Sequence, residues 1–204
     1  KICDENGILL VADEVQTGFC RTGRMFATNY WEESGVQPDI LATAKSIAAG
    51  VPLSAIVARE EIMEASAPGT IGGTFCGNAL ACAAALKTIE IMERDDIAGR
   101  SCEIGEKVSK RFNEWKEKYP VIGDVRGLGG MIGLEFVKDQ KTKEPYPEFS
   151  AAVIKGCAQK GLMIEGAGTY GNVIRFLAPL VMTDEQLEAG LDIYESVIKE
   201  LLEK

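Results

Sequence analysis

Apolar residues along this chain fall into two rhythms. In the first hundred positions they form short unbroken runs: ILLVA (Ile8 to Ala12), the apolar centre of PDILATAKS, and PLSAIVA (Pro52 to Ala58). Runs of that length suit strands covered on both faces, as in parallel α/β sheets. Between them lie the polar loop QTGFCRTGR, a short helix around Asn29 to Ser34, and the loop IAAG. Three strands separated by loops and short helices predict one open α/β sheet.

From Arg59 the period lengthens. REEIMEASA reads as a helix, PGTIGGTFCGN as a glycine-rich loop, and ALACAAALKTIEIMER as a long helix whose small residues allow close packing. Asp95-Asp96 reads as a joint. Beyond it the pattern predicts an amphipathic helix (Ser101 to Tyr119), two strands joined through glycines in IGDVRGLGGMIGLEF, and the solvated loop KDQKTKEPYPE. A helix (Phe149 to Lys160) and two strands (Leu162 to Glu165, Val173 to Leu177) follow. The last helix opens with a capping box, Thr183 to Gln186, and lines up Leu187, Leu191, Tyr194, Ile198 and Leu201 on one face. The expected division is therefore an α/β portion, residues 1–95, and an α+β portion, residues 96–204. At the start, KICDENG reads as the last turn of a helix closed by Gly7, so the chain reads as part of something longer.

Composition narrows the partners. The 204 residues are 46% hydrophobic and 26% charged, with a net charge of -9 and no basic stripe for nucleic acid or anionic lipid. No apolar run approaches the ~20 residues that span a bilayer. A cytoplasmic protein with small-molecule or protein partners is expected. Six cysteines stand apart without a CxxC pair and read as reduced, mostly buried thiols. The absence of histidine removes Ser/His and Cys/His nucleophile pairs, and no metal site is expected.

The chemistry is left to lysine and carboxylates. In open α/β sheets, ligands sit beyond the carboxyl ends of the strands, and Asp13 and Lys45 both fall at such ends. On spacing alone the pair equally fits a structural salt bridge or two solvated strand ends. Glu14 would point to the face opposite Asp13, in a loop-holding role. Arg175, in the middle of the apolar VIRF, is costly unless paired and fits an ion pair at the core edge. Arg126 reads as a brace of the domain interface with no ligand assigned, and Trp31 and Trp115 as packing residues.

The words LLVADEVQTGFCRTGRMFA, PDILATAKSIAAGVPLSAIVA, GGTFCGNALACAAAL, VRGLGGMIGLE and VIRFLAPL, in this order, resemble the class III aminotransferases. AKSIAAGVPLSAI followed by IGDVRGLGGMIGLEF is most similar to the 4-aminobutyrate type. The resemblance runs from the first residues to the last helix and matches the second half of such an enzyme. It implies a fold type I transferase: the C-terminal part of the large parallel-sheet domain in residues 1–95 and a smaller α+β C-terminal domain in 96–204. It also implies pyridoxal 5'-phosphate as cofactor. On that resemblance Asp13 is the carboxylate beside the pyridine nitrogen, Lys45 the amine that binds the cofactor and moves the proton, and Gln16 a contact on the ring-hydroxyl side. Thr74 is the threonine that binds the cofactor phosphate of the neighbouring subunit, which implies a homodimer with shared sites, and Arg175 the holder of the substrate carboxylate. Cys20 and Cys76 stand where the family has smaller residues. The implied reaction passes an amino group from 4-aminobutyrate, or a related ω-amino acid, to a keto acid such as 2-oxoglutarate. An acetylornithine or ornithine type is the alternative within the family, and a catalytically silent chain is the alternative outside it, because the family's phosphate-binding glycine loop and ring-stacking aromatic lie outside this sequence.

Overall fold

A computed structural model describes residues 1–203. The chain divides into two compact units, Lys1–Ala98 and the portion from Gly99 onward.

The first unit begins with α1 (Ile2–Asn6). Gly7 ends it in the left-handed conformation, φ 64°, while Ile8 N–H donates to Cys3 O. This is the glycine stop that Asn6-Gly7 announces. Then come β1 (Val11–Asp13), two 3-10 turns (Ala27–Tyr30 and Glu32–Ser34), β2 (Ile40–Thr43), a third 3-10 turn (Lys45–Ala48), β3 (Ala55–Ala58), α2 (Glu60–Glu64) and α3 (Ala79–Arg94). The sheet runs in the order β1-β2-β3, with β1 parallel to β2 and β3 antiparallel to it. The long stretch between β1 and β2 permits a crossover. The eleven-residue link between β2 and β3, which holds the third 3-10 turn, is too short for one, and the chain doubles back.

The expectation that the first strand is covered on both faces is not met. β1 starts only at Val11 and lies at the sheet edge; Ala12 is buried while Ile8, Leu9 and Val11 are exposed. The core of this unit lies instead where the small side chains of α3 meet the Lys45–Ala48 turn. Phe19, Ile47, Ala48 and Ala85 form its centre, with Met25, Phe26, Leu53 and Ile89 packed around them. Asn78 caps α3, accepting from Leu80 and Ala81 N–H.

The second unit is built on α4 (Ile97–Lys118), the hairpin β4 (Ile122–Leu128) and β5 (Met131–Phe136), α5 (Pro147–Gln159), β6 (Glu165–Ala167), β7 (Val173–Phe176) and α6 (Asp184–Leu202). Its sheet is antiparallel throughout, in the order β4-β5-β7-β6. Phe112, Trp115 and Tyr194 meet at ring-centroid distances of 4.9 to 5.7 Å, and Phe112 also meets Phe176 edge-on at 6.0 Å. The capping box forms: Thr183 N–H donates to Gln186 Oε1 at 3.1 Å and Gln186 N–H to Thr183 Oγ1 at 3.3 Å. The buried face of α6 is Leu187, Leu191, Tyr194, Val197 and Ile198; Leu201, expected there, is only half-buried.

One strand is displaced from its apolar run. Leu162 N–H donates to Cys157 O and Gly161 N–H to Ala158 O, the pair of hydrogen bonds that closes a helix through a left-handed glycine. Closing α5 occupies Leu162, so β6 starts at Glu165 and the run Leu162–Ile164 lines a cavity of about 400 Å³ with Phe176, Pro179 and Leu187. Of the six thiols only Cys20 and Cys157 are buried, and Cys76 is exposed, so the reading of mostly buried thiols is too broad. Burial pushes the Cys157 thiol up to about 11. No helix among the described residues is long and apolar enough to cross a membrane.

Candidate active site

The carboxyl ends of β1 and β2 are neighbours. Asp13 pairs in register with Ala42, and the ladder runs one step further through Glu14 N–H to Ala42 O at 2.8 Å. Lys45 follows three residues after Ala42, so the structure brings Asp13 and Lys45 to one end of one parallel pair.

Asp13 is exposed, and its Oδ1 accepts from Val15 N–H at 3.0 Å, a local turn bond that short acidic side chains favour. Gln16 is half-buried in the turn that follows. Gly18 closes that turn: its N–H donates to Glu14 O at 3.1 Å, and a Cβ there would stand 2.8 Å from the same oxygen. Phe19 and Cys20 continue in the left-handed region, at φ 57° and 68°, which drives the Phe19 ring into the core against Phe26. Burial, helped by the charge of Asp96, raises the pKa of the Cys20 thiol. Farther along the loop, Arg24 stacks 4.7 Å over the Tyr30 ring, and Tyr30 OH donates to Thr22 O at 2.8 Å.

Lys45 has an unusual backbone. It opens the Lys45–Ala48 turn at φ 49° with its side chain exposed, while Ile47 and Ala48 of the same turn are sunk in the core. A left-handed lysine costs about 1–2 kcal/mol, so its anchoring by Ile47 and Ala48 has to hold it there. Just before it, Thr43 Oγ1 is buried with no hydrogen-bond partner among the described residues.

Thr74 and Arg175, the other expected positions, belong to other elements of the chain. Thr74 is exposed in the turn between Gly73 and Asn78, and among the described residues no hydrogen bond or ion pair joins it to Asp13, Gln16 or Lys45. Arg175 belongs to the second unit, where it pairs with Glu165 across β6 and β7 at 2.9 Å. Arg126 is held by Asp124 and Glu135 on its own hairpin. Of the two neighbouring carboxylates Glu14 is the buried one and Asp13 the exposed one, and only the alternation of faces along a strand hints at this in the sequence.

The chain matches the family described as Aminotransferase class-III over residues 1–198. It is 46% identical over 197 residues to a probable 4-aminobutyrate aminotransferase of Bacillus subtilis (strain 168), covering 97% of this chain and 44% of that protein. It is also 46% identical over 200 residues to the 5-aminovalerate aminotransferase DavT of Pseudomonas putida, covering 98% of this chain and 46% of that protein. Among solved structures, a PLP-bound amine transaminase from an uncultivated Pseudomonas species superposes with a TM-score of 0.87 at 33% identity, covering 98% of this chain and 46% of that one. The chain thus spans a little under half the length of the relatives it matches.

Proposed function

The chain belongs to the class III aminotransferase family, and from that premise we propose that it serves pyridoxal-5'-phosphate-dependent transamination between 4-aminobutyrate, or a related ω-amino acid, and 2-oxoglutarate. One observation carries this reading. An exposed carboxylate, Asp13, and an exposed primary amine, Lys45, stand at the same end of neighbouring parallel strands. Among the described residues neither is engaged in an ion pair, and Asp13 Oδ2 accepts no hydrogen bond. That donor set fits the cofactor, which when bound supplies an electron sink for the substrate's amino-bearing carbon.

Asp13 supplies the negative charge that keeps a proton on the pyridine nitrogen. The Lys45 amine would hold the cofactor and move the proton between the substrate's amino-bearing carbon and the cofactor carbon bonded to the same nitrogen; such general acid/base transfer is worth roughly 10² to 10⁴ in rate. Arg175 offers a planar fork for the substrate carboxylate, and its present partner Glu165 is largely exposed and so readily replaced. Thr74, in its glycine turn, offers a hydroxyl to a phosphate across a homodimer interface. The names of the B. subtilis and P. putida relatives support an ω-amino acid as donor.

The test is direct. Pyridoxal phosphate is added to the purified chain, the mixture is reduced with borohydride, and the modified lysine is mapped by mass spectrometry. Labelling concentrated at Lys45 is expected. No labelling, or labelling spread over surface lysines, means the chain has the fold without a working site.

A further inference from the structure

We propose that Glu14 is a positioning residue for this site, an inference that rests on the function proposed above. Glu14 is 2% exposed, although it adjoins the exposed Asp13. Its carboxylate has no cationic partner within ion-pair distance among the described residues. Instead Oε1 accepts from Thr28 N–H at 2.6 Å and Oε2 from the Thr17 hydroxyl. Its backbone is equally committed: the N–H donates to Ala42 O and the carbonyl accepts from Gly18 N–H.

Four bonds from one residue therefore tie together the end of β1, the turn that holds Gln16, the 3-10 turn at Ala27–Tyr30, and β2 three residues before Lys45. Burying a carboxylate without a cation is costly unless it is hydrogen-bonded, and here each oxygen has one donor, Thr28 N–H or the Thr17 hydroxyl. Asp13 and Gln16 lie one and two residues from this clamp, and Ala42 is the register partner of Asp13. Loosening the clamp lets all three drift relative to Lys45. Glutamine keeps the geometry without the charge: its Oε1 accepts from Thr28 N–H while its Nε2 donates to the Thr17 hydroxyl, which can act as acceptor.

The experiment compares the wild type with Glu14→Ala, Glu14→Gln and Thr17→Val. Pyridoxal phosphate is titrated by its absorbance, labelling at Lys45 is mapped after borohydride, and amide exchange is followed over residues 13–28. Glu14→Ala is expected to weaken cofactor binding about tenfold and to speed exchange at Thr28, Thr17→Val to do less in the same direction, and Glu14→Gln to stay within about threefold of wild type. Unchanged binding in Glu14→Ala overturns the inference. So does a Glu14→Gln variant as impaired as Glu14→Ala, because charge and not placement is then responsible. Should Glu14→Ala fail to fold, a Thr17→Val variant that binds and exchanges like wild type overturns it as well. A wild type that takes no label at Lys45 removes the proposed function and this inference with it, whereas a labelled wild type with an unaffected clamp variant removes the inference alone.

Discussion

At Lys45 a backbone property and a side-chain property are joined. The left-handed φ belongs to the turn, and the amine belongs to the proposed chemistry, so substitution separates them. Lys45→Ala meets the same backbone cost and leaves Ile47 and Ala48 in the core; its unfolding free energy should therefore match wild type to within about 0.5 kcal/mol. Labelling by pyridoxal phosphate and borohydride should fall to the level of the surface lysines. An unfolded variant, or persistent labelling at neighbouring residues, would contradict this. The sequence places Asp13 and Lys45 at strand ends because apolar runs stop there. It does not reveal the left-handed φ of Lys45, since that conformation is imposed by Ile47 and Ala48 docking beneath α3. Nor does it reveal that Glu14 turns inward to Thr28, a residue fourteen positions away, because that bond depends on how the loop closes.

At the scale of elements, α4 and the β4–β5 hairpin sit in close apposition. Ser101 Oγ accepts from Gly130 N–H at 2.9 Å, and a Cβ on Gly105 would lie 2.2 Å from the Gly129 carbonyl oxygen. Backbone cannot yield as a flexible side chain can, so Gly105→Ala should cost about 3 kcal/mol, read as a lower denaturation midpoint of the second unit. On the other side of α4, Arg111 reaches Glu188, Asp192 and Glu195 of α6, while Glu195 also accepts from Tyr119 at 2.8 Å and pairs with Lys118 and Lys199. Burial works to raise the pKa of Glu195, but hydrogen bonds from Tyr119, Lys118, Lys199 and Arg111 bring it down to about 2. A folded pKa below the unfolded one gives stability that is present above about 4.5 and is lost as pH falls toward 2. Glu195→Gln should flatten that part of the stability-pH curve in a denaturant series at fixed ionic strength. Long helices were legible from apolar spacing, as Val108, Phe112 and Trp115 show. The start of β6 was not, because Leu162 serves both as an apolar residue and as the closure of α5.

Across the whole molecule, apolar burial is uneven. The second unit buries Phe112, Trp115, Phe136, Ile174, Leu191 and Tyr194 almost completely, whereas the first leaves Val57, Phe75, Leu80 and Leu86 exposed. Stability should follow that difference. The two tryptophans report it separately, since Trp31 lies in the first unit at 37% exposure and Trp115 in the second at 2%. In a urea titration the Trp31 signal should change at lower urea than that of Trp115, with Trp31→Phe isolating the latter; coincident transitions would show a single cooperative unit. The expectation of strands covered on both faces missed this, because the composition of a run says what could be buried and not what is there to cover it. The left-handed lysine has a last consequence, which concerns selection. Asparagine and glycine suit that φ better than lysine does. A library sorted only for heat resistance should therefore enrich asparagine or glycine at position 45, and its hardiest survivors would be the ones without the amine of the proposed chemistry.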